Sequence, residues 1–343
     1  MAQAAPGEVN AATHFLVGDI GGTNLRLELK DAHNSTVKKM LVKTADFADF
    51  SACLVDFFKD IPIKPANVRG AISIASKILD NKAVTHANYS WPLADGNKLR
   101  DEFGFIDLVL LNDFEAHGYA VPGLNPDKLV ALKGKSPDIN KDCRIMVVGP
   151  GTGLGVCLFY KKRGRTQVLS SEGGHIGLSA FNELQYEFEQ FAKSKFGVTE
   201  GLISAEWLFC GLGIPIIYEF FAKKHGKELT QPLQGSEVFA AIDTDPIAKE
   251  AFDHFLRIFG TCLAHLSAAF LPDDGIFLCG NIVSSIIERI KKDTSNPKES
   301  LLLTAFVSNK CIGPYLENVS IVFTPEEDLG LKGCWEFLNL KKK

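Results

Sequence analysis

Two stretches of this chain each place three strand-like segments in close succession, and helical sequence follows each of them. The first stretch covers residues 14 to about 44, and the second covers residues 143–171. Both consist of short apolar segments separated by glycine or polar residues, a pattern typical of strands joined by tight turns. Strand blocks that alternate with helices predict an α/β architecture. We therefore expect two α/β domains, the second of them enlarged by helices.

The remaining segments extend this division along the chain. We predict further strands over residues 68–76, 106–113, 275–280 and 319–324. We predict helices over residues 45–60, over most of 181–271, and over 282–292 and 329–341. We expect residues 1–13 to form a disordered tail and the change of domain to fall near Asp113. In such sheets ligands collect at the carboxyl ends of the strands.

The composition excludes several classes of protein. Of the 343 residues, 46% are hydrophobic and 23% are charged, which is typical of a globular protein. The net charge of −4 argues against binding to a nucleic-acid backbone, which requires a basic surface. No apolar segment approaches the roughly 20 residues that cross a bilayer, and the amino-terminal residues lack the basic and apolar regions of a secretory signal. We expect neither a nucleic-acid partner nor a membrane.

The eight cysteines are scattered, and the sequence contains no C-x-x-C pair and no Cys/His spacing typical of a zinc site. Most of them lie within apolar segments, which predicts buried free thiols in a reducing compartment. We therefore expect a cytoplasmic protein.

Two glycine-rich loops each join one apolar strand to the next. The first is GGTN at residues 21–24, and the second, at residues 149–155, has glycine at every second position. Neither fits G-x-G-x-x-G, in which a strand leads into a helix, and the chain contains no G-x-x-x-x-G-K-[ST]. Both loops predict hairpins whose tips expose backbone N–H groups to a ligand, with no Cβ in the way.

One such hairpin in each domain would suit a polyphosphate. The hydroxyl groups of Thr23 and Thr152 would add donors. Asp19 precedes the first hairpin and would hold the Mg²⁺ that accompanies a phosphate chain, since Mg²⁺ prefers carboxylates and water. The alternative for the first loop is ordinary turn chemistry, because Asp and Asn side chains bond their own backbone.

Four further residues combine polar chemistry with a structured position. Asp113 ends an apolar strand and suits a general base, and the alternative is that it caps the following helix. Glu172 and His175 lie in the glycine turn EGGH, where they suit sugar hydroxyl groups or are simply solvated. Glu206 lies in the first turn of a predicted helix, where it alternatively complements the helix dipole.

Two other positions carry weaker signals. Gly280 and Asn281 form a turn from a strand into a helix, which suits the approach of a nucleotide to the helix N-terminus or is an ordinary βα turn. Lys77 follows the strand over residues 68–76, where we expect a solvated loop lysine.

Six motifs in sequence carry a family resemblance: LVGDIGGTNLRL, LLNDFEA, VGPGTGLGV, EGGHIG, SAEWLFCG and LCGNIV. From about residue 15 to about residue 338, the chain resembles the bacterial-type glucokinase family of the sugar kinase/actin-like ATPase superfamily. The cysteine-rich zinc motif of the neighbouring repressor/kinase group is absent. The chain departs from the usual family pattern at Ser76-Lys77, where a Gly-Pro or Cys-Pro pair is common, and at Gly280-Asn281, where paired glycines are usual.

The resemblance implies a two-lobed actin-like ATPase (ribonuclease H-like) α/β fold with an interdomain cleft. It implies a small domain (14–113 with the terminal helix at 328–343) and a large domain (114–327). The implied reaction is ATP-dependent phosphorylation of D-glucose to glucose 6-phosphate in glycolysis, with Asp113 as general base and Mg²⁺ held by Asp19 through water. The terminal helix, with Trp335 and Phe337, would pack on the small domain, and the protein would be a homodimer.

The resemblance also implies two sets of binding residues. The glucose ligands would be Asn88, Asn112, Asp113, Glu172, His175 and Glu206. The ATP-binding residues would be Asp19, Gly21, Gly22, Thr23, Asn24, Gly151, Thr152, Gly153, Gly280 and Asn281. The alternatives are a kinase of another hexose, a broad-specificity hexokinase, or a non-catalytic sugar-sensing protein of the same fold, and the donor is open between ATP and ADP or polyphosphate.

Overall fold

The computed structural model describes residues 12–85, 91–178, 180 and 182–341. The predicted tail lies outside these residues except for its last two, and the predicted sugar ligand Asn88 lies outside them as well.

The strands are β1 (His14–Ile20), β2 (Asn24–Asp31), β3 (Thr36–Lys43), β4 (Val68–Ile74), β5 (Ile78–Leu79), β6 (Lys82–Ala83), β7 (Asp107–Asn112), β8 (Val130–Lys133), β9 (Cys143–Pro150), β10 (Leu154–Lys162), β11 (Arg165–Ser171), β12 (Gly275–Cys279) and β13 (Ile321–Thr324). The helices are α1 (Phe50–Phe58), α2 (Gly96–Phe103), α3 (Asp113–Ala120), α4 (Glu183–Phe196), α5 (Ala205–Phe209), α6 (Gly213–Lys224), α7 (Gly235–Ala241), α8 (Pro246–Phe270), α9 (Asn281–Asp293), α10 (Leu301–Phe306), α11 (Gly313–Leu316) and α12 (Leu329–Leu340).

The described chain divides into two compact units. Unit 1 comprises the residues up to Gly123 together with those from Asp328 onwards, and unit 2 comprises Leu124–Glu327. The predicted change of domain at Asp113 and the unit boundary after Gly123 are separated by α3. No helix of the described chain is both long enough and apolar enough to span a membrane.

Unit 1 contains a five-stranded sheet with the order β3-β2-β1-β4-β7. The first three strands pair antiparallel, and β4 and β7 extend the sheet parallel to β1. The carboxyl ends of β1, β4 and β7 therefore lie at one edge of this sheet. That edge carries Asp19 opposite Ser73, and Asn112 opposite Ile74.

Unit 2 repeats these strand directions in a six-stranded sheet with the order β11-β10-β9-β12-β13-β8. Strands β9, β10 and β11 pair antiparallel, β12 and β13 follow parallel to β9, and β8 runs antiparallel to β13. Since β9 and β12 are parallel neighbours, the β9–β10 hairpin and the end of β12 lie at the same edge.

Each sheet has its own apolar core. In unit 1, Phe50 and Phe57 of α1 pack against strand residues such as Leu27. In unit 2, the long helix α8 supplies much of the core, and its apolar residues cluster with those of α6 and α10. Seven of the eight predicted free cysteines are buried, and Cys311 is exposed.

The terminal helix α12 belongs to unit 1, where it packs against α3 and β1. The rings of Phe15 and Trp335 meet edge to face with centroids 5.8 Å apart, and those of Tyr119 and Phe337 with centroids 5.0 Å apart. The first pair holds the helix beside β1, the strand that carries Asp19, and the second holds it against α3.

One predicted helix needs correction, and several short elements are missing from the sequence analysis. The helix predicted over 45–60 is the shorter α1, because the Asp49 carboxylate accepts the Ala52 N–H at 2.7 Å and sets the helix start at Phe50. Thr44–Asp46 instead form a 3-10 turn. The sequence analysis predicts neither β8 nor α2. Helix α2 nevertheless has ordinary end signals, since the Asp95 side chain caps its start.

Candidate active site

Asp19 lies near the end of β1, where side chains from two neighbouring strands contact its carboxylate. The Ser73 hydroxyl on β4 donates to Asp19 Oδ1 at 2.9 Å, and the Arg26 guanidinium on β2 lies 3.8 Å from Oδ2. The pKa of Asp19 is raised, because burial outweighs the Ser73 bond and the Arg26 charge, which both lower it. The first turn of α12 meets the same carboxylate, since a Cβ at Gly330 would lie 2.7 Å from Asp19 Oδ1.

The Gly21–Asn24 loop forms the predicted hairpin between β1 and β2. The N–H of Gly21 donates to the Asn24 carbonyl at 2.9 Å, which closes the turn. The hydroxyl of Thr44 donates to the Gly22 carbonyl at 3.1 Å and anchors the tip from the end of β3. Within this turn Gly21 and Gly22 are half-buried, whereas Thr23 and Asn24 are exposed.

Asp113 follows β7 directly and begins α3. Asn112, not Asp113, is the N-cap residue, because its Oδ1 accepts the N–H groups of Phe114 at 3.0 Å and Glu115 at 3.1 Å. Its Nδ2 donates to Asp113 Oδ1 at 2.9 Å and to the Ser76 carbonyl at 3.1 Å. Asn112 therefore positions Asp113, a role that the sequence analysis does not predict.

The pKa of Asp113 is raised from 3.8 to about 6. Burial is the largest cause, the N–H of Phe114 opposes it, and the negative charge of Asp19 raises the pKa further. A carboxylate whose pKa lies close to the working pH is suited to accept a proton from a hydroxyl group. Lys77, three residues beyond the end of the neighbouring strand β4, is exposed.

The second glycine loop forms the predicted hairpin between β9 and β10 in unit 2. Two bonds join it to α5 and the residues that follow this helix. Leu154 N–H donates to Glu206 Oε2 of α5 at 3.1 Å, and the N–H of Gly211, beyond the end of α5, donates to the Gly151 carbonyl at 3.2 Å. A Cβ at Gly153 would lie 2.5 Å from Glu206 Oε2, so the loop and the carboxylate are in direct contact.

The predicted sugar ligands of unit 2 form one cluster. His175 Nε2 lies 3.8 Å from Glu172 Oε2, and His175 Nδ1 lies 4.0 Å from Glu206 Oε1. The side chains of Glu172 and His175 are 59% and 54% exposed, and that of Glu206 is 28% exposed. A Cβ at Gly174 would lie 1.9 Å from the Leu154 carbonyl oxygen, so the EGGH turn packs directly on the hairpin.

Gly280 connects β12 to α9 beside the same hairpin. Its φ of 98° lies in the region that favours glycine, and a Cβ would lie 2.9 Å from the Pro150 carbonyl oxygen. Asn281 begins α9. In unit 2 the structure therefore brings together the predicted nucleotide residues and the predicted sugar ligands.

Comparison with known proteins identifies the family of this chain. The family model described as Glucokinase matches residues 16–340. The chain belongs to the glucokinase family. The glucokinase of Mesorhizobium japonicum is 31% identical over 81% of this chain and 80% of its own length.

Solved structures of glucokinases share the fold. A glucokinase from an Antarctic psychrotroph superimposes with a TM-score of 0.76 at 26% identity, over 95% of this chain and 99% of that one. A glucokinase of the ROK family from Streptomyces griseus, solved with glucose and AMPPNP, gives a TM-score of 0.60 at 17% identity over 94% of this chain and 98% of that one. These structures confirm the predicted actin-like ATPase fold.

The sequence analysis does not identify several residues that the structure places against the predicted site residues. Ser73, Arg26 and Gly330 contact Asp19, and Ser204 and Gly211 flank the residues of α5. Ser204 alone offers a local signal, since Ser directly before a helix is typical of an N-cap. The other residues have no local signal, because their contacts form only when distant strands and helices pack together.

Proposed function

We propose that this chain transfers the γ-phosphoryl group of ATP to the 6-hydroxyl group of D-glucose. Membership of the glucokinase family supports the reaction and the sugar. Glucose and AMPPNP are bound in the Streptomyces griseus structure of the same fold, which supports both substrates. The product would be glucose 6-phosphate, and the reaction would belong to glycolysis.

The observation that carries this proposal is the contact between the Glu172, His175 and Glu206 cluster and the glycine hairpin at 151–154. Carboxylate and imidazole groups recognise sugar hydroxyl groups, and a glycine-tipped loop accepts a phosphate chain. Because Glu206 accepts a hydrogen bond from the Leu154 N–H, the proposed sugar site and the proposed phosphate site share this contact. A hexose kinase requires this proximity, since the sugar hydroxyl must reach the terminal phosphate.

In unit 1, Asp113 is the proposed general base. Its carboxylate would accept the proton of the 6-hydroxyl as the oxygen attacks the γ-phosphorus. Asn112 Nδ2 and the N–H of Phe114 fix the carboxylate by donating to its Oδ1, which leaves Oδ2 for the acceptor alcohol. General bases of this kind contribute about 10²–10⁴ in rate.

Asp19 is the proposed Mg²⁺ residue, through water. The described residues contain no group of three or more His, Cys, Asp or Glu side chains that would form a metal site. Nucleotide-bound Mg²⁺ needs fewer protein ligands, because it keeps several waters and binds the phosphates as well. The single Asp19 carboxylate, held by Ser73, fits this ion, whose charge would neutralise the phosphates.

The remaining assignments follow from the resemblance. The proposed nucleotide contacts are the hairpin residues of both units with Gly280 and Asn281, and Asn88 stays a proposed sugar ligand. We further propose a cytoplasmic location, since buried free thiols suit a reducing compartment. A homodimer is proposed from the family resemblance alone. Light scattering of the purified protein would measure the oligomeric state.

A coupled assay with ATP and a panel of hexoses tests the proposed function. We expect the highest kcat/KM with D-glucose, and lower values with mannose, fructose and glucosamine. A higher kcat/KM for another hexose would mean that this other sugar is the preferred substrate. Glucose binding without phosphoryl transfer from ATP, ADP or polyphosphate would identify a sugar sensor of this fold.

A further inference from the structure

Ser204 occupies the N-cap position of α5 but does not act as a cap. Serine at this position usually accepts a hydrogen bond from an N–H group in the first helical turn. The Ser204 side chain makes no such bond. Its Oγ instead lies 3.2 Å from His175 Nδ1 and 3.3 Å from the Gly174 carbonyl oxygen. The hydroxyl group therefore bonds to the EGGH turn and not to its own helix.

The direction of these bonds follows from donor and acceptor chemistry. A serine hydroxyl has one proton, and a carbonyl oxygen can only accept. When Ser204 donates to the Gly174 carbonyl, its oxygen must accept from His175 Nδ1–H. We propose that Ser204 thereby fixes neutral His175 as the Nδ1–H tautomer and presents Nε2 as an acceptor to a sugar hydroxyl. This inference rests on the proposed glucose phosphorylation and deepens it.

The fixed tautomer has a consequence for sugar recognition. Glu172 Oε2 lies 3.8 Å from His175 Nε2, beyond hydrogen-bond distance. With Nε2 protonated, the ring would present a donor beside the Glu172 acceptor, and a small approach of the two side chains would pair them with each other instead of with a ligand. With Nε2 unprotonated, His175 Nε2 and Glu172 Oε2 are both acceptors, which matches two neighbouring hydroxyl donors of a hexose. Ser204 is therefore a positioning residue for sugar specificity.

Steady-state kinetics of two Ser204 variants test this role. We expect Ser204→Ala to raise the KM for glucose about tenfold and to change the KM for ATP by less than about twofold, since one oriented hydrogen bond is lost. Ser204→Thr keeps the hydroxyl and is expected to restore a KM for glucose close to that of the unmodified protein. An unchanged KM for glucose in Ser204→Ala would overturn the inference.

Ser300 provides the matched control. It is the N-cap of α10, and its hydroxyl oxygen does accept the Leu303 N–H at 3.4 Å. We expect Ser300→Ala to lower Tm by a few degrees and to leave both KM values unchanged. Ser204→Ala should instead raise the KM for glucose, and it should lower Tm by no more than Ser300→Ala does, because no helix cap is lost.

The ¹⁵N NMR spectrum of the histidine rings measures the tautomer without any activity. His175→Gln assigns the His175 signals in protein labelled at histidine. We expect the Nδ1–H tautomer in the unmodified protein and its loss in Ser204→Ala. An Nε2–H tautomer in the unmodified protein would overturn the inference, even if glucose is phosphorylated. Absence of glucose phosphorylation would overturn the proposed function instead, and the spectrum would still decide the role of Ser204.

Discussion

The backbone N–H of Leu154 donates a hydrogen bond to Glu206 Oε2 over 3.1 Å, so a proposed sugar ligand also holds the end of the proposed phosphate-binding hairpin. Two substitutions separate these roles. Glu206→Gln removes the charge but keeps an oxygen that can accept from Leu154, whereas Glu206→Ala removes both. The contact therefore predicts different kinetics for two changes at one position.

We expect Glu206→Gln to raise the KM for glucose about tenfold or more and the KM for ATP by less than about twofold. Hydrogen bonds to charged groups contribute about 1.5–3 kcal/mol, which is the size of the expected loss for the sugar. Glu206→Ala should raise both KM values, because the hairpin loses its anchor. Steady-state kinetics with each substrate varied in turn measure this. Equal changes in both KM values for Glu206→Gln would mean a structural role alone.

Gly151 offers a direct test of the hairpin as a phosphate site. A Cβ at Gly151 would meet no atom within 4 Å, so we expect Gly151→Ala to leave Tm unchanged. If phosphates approach this backbone closely, the added methyl group should raise the KM for ATP about tenfold or more and spare glucose binding. An unchanged KM for ATP with an intact fold would move the nucleotide away from this tip.

Ser73 supports the proposed Mg²⁺ residue, and its removal should weaken metal use. Without the Ser73 hydroxyl, the pKa of Asp19 rises further and its carboxylate is held less firmly. We expect Ser73→Ala to raise the Mg²⁺ concentration at half-maximal rate about three- to tenfold. Ser51→Ala is the matched control, since Ser51 donates to the Glu102 carboxylate on the surface of the same unit. Identical Mg²⁺ dependence in all three proteins would argue against Asp19.

The raised pKa of Asp113 predicts the pH dependence of the reaction. A base must be deprotonated to accept a proton, so kcat/KM should fall tenfold per pH unit below about pH 6. A pH profile of kcat/KM for glucose at saturating ATP measures this limb. A rate that stays constant down to pH 4.5 would exclude a base with this pKa.

The raised pKa of Asp113 also predicts how the stability of the protein depends on pH. The folded protein holds this proton more tightly than the unfolded chain, whose pKa is about 3.8. The contribution to stability is therefore present below pH 4 and is lost as the pH rises to about 6. We expect Asp113→Asn to raise the free energy of unfolding at pH 7 by about 1–3 kcal/mol, measured by denaturant titration. A less stable variant at pH 7 would contradict this sign.

Much of the sheet architecture could be predicted from local patterns. The two strand blocks and the glycine hairpins are visible because apolar segments and turn residues alternate over short distances. Helix α1 begins later than predicted because one capping side chain, Asp49, decides its start. The four-residue strand β8 is found at the sheet edge, where it pairs with β13, and this pairing cannot be seen in the local sequence.

The site was predictable as a set of residues but not as a set of contacts. Family motifs point to Glu172, His175 and Glu206, and the fold brings them together. The bond from Ser73 to Asp19 joins residues 54 positions apart, through the parallel pairing of β1 with β4. No local pattern predicts such a contact, because it depends on which strands become neighbours.

The rate of glucose 6-phosphate formation by Asp113→Asn, measured together with glucose binding, tests the central claim most directly. Asn keeps the size of the side chain and an oxygen for the Phe114 N–H, but it cannot accept the proton from the attacking hydroxyl. The account predicts a glucose Kd within a few-fold of the unmodified protein and a kcat lower by about 10² or more. A near-normal kcat for this variant would contradict it.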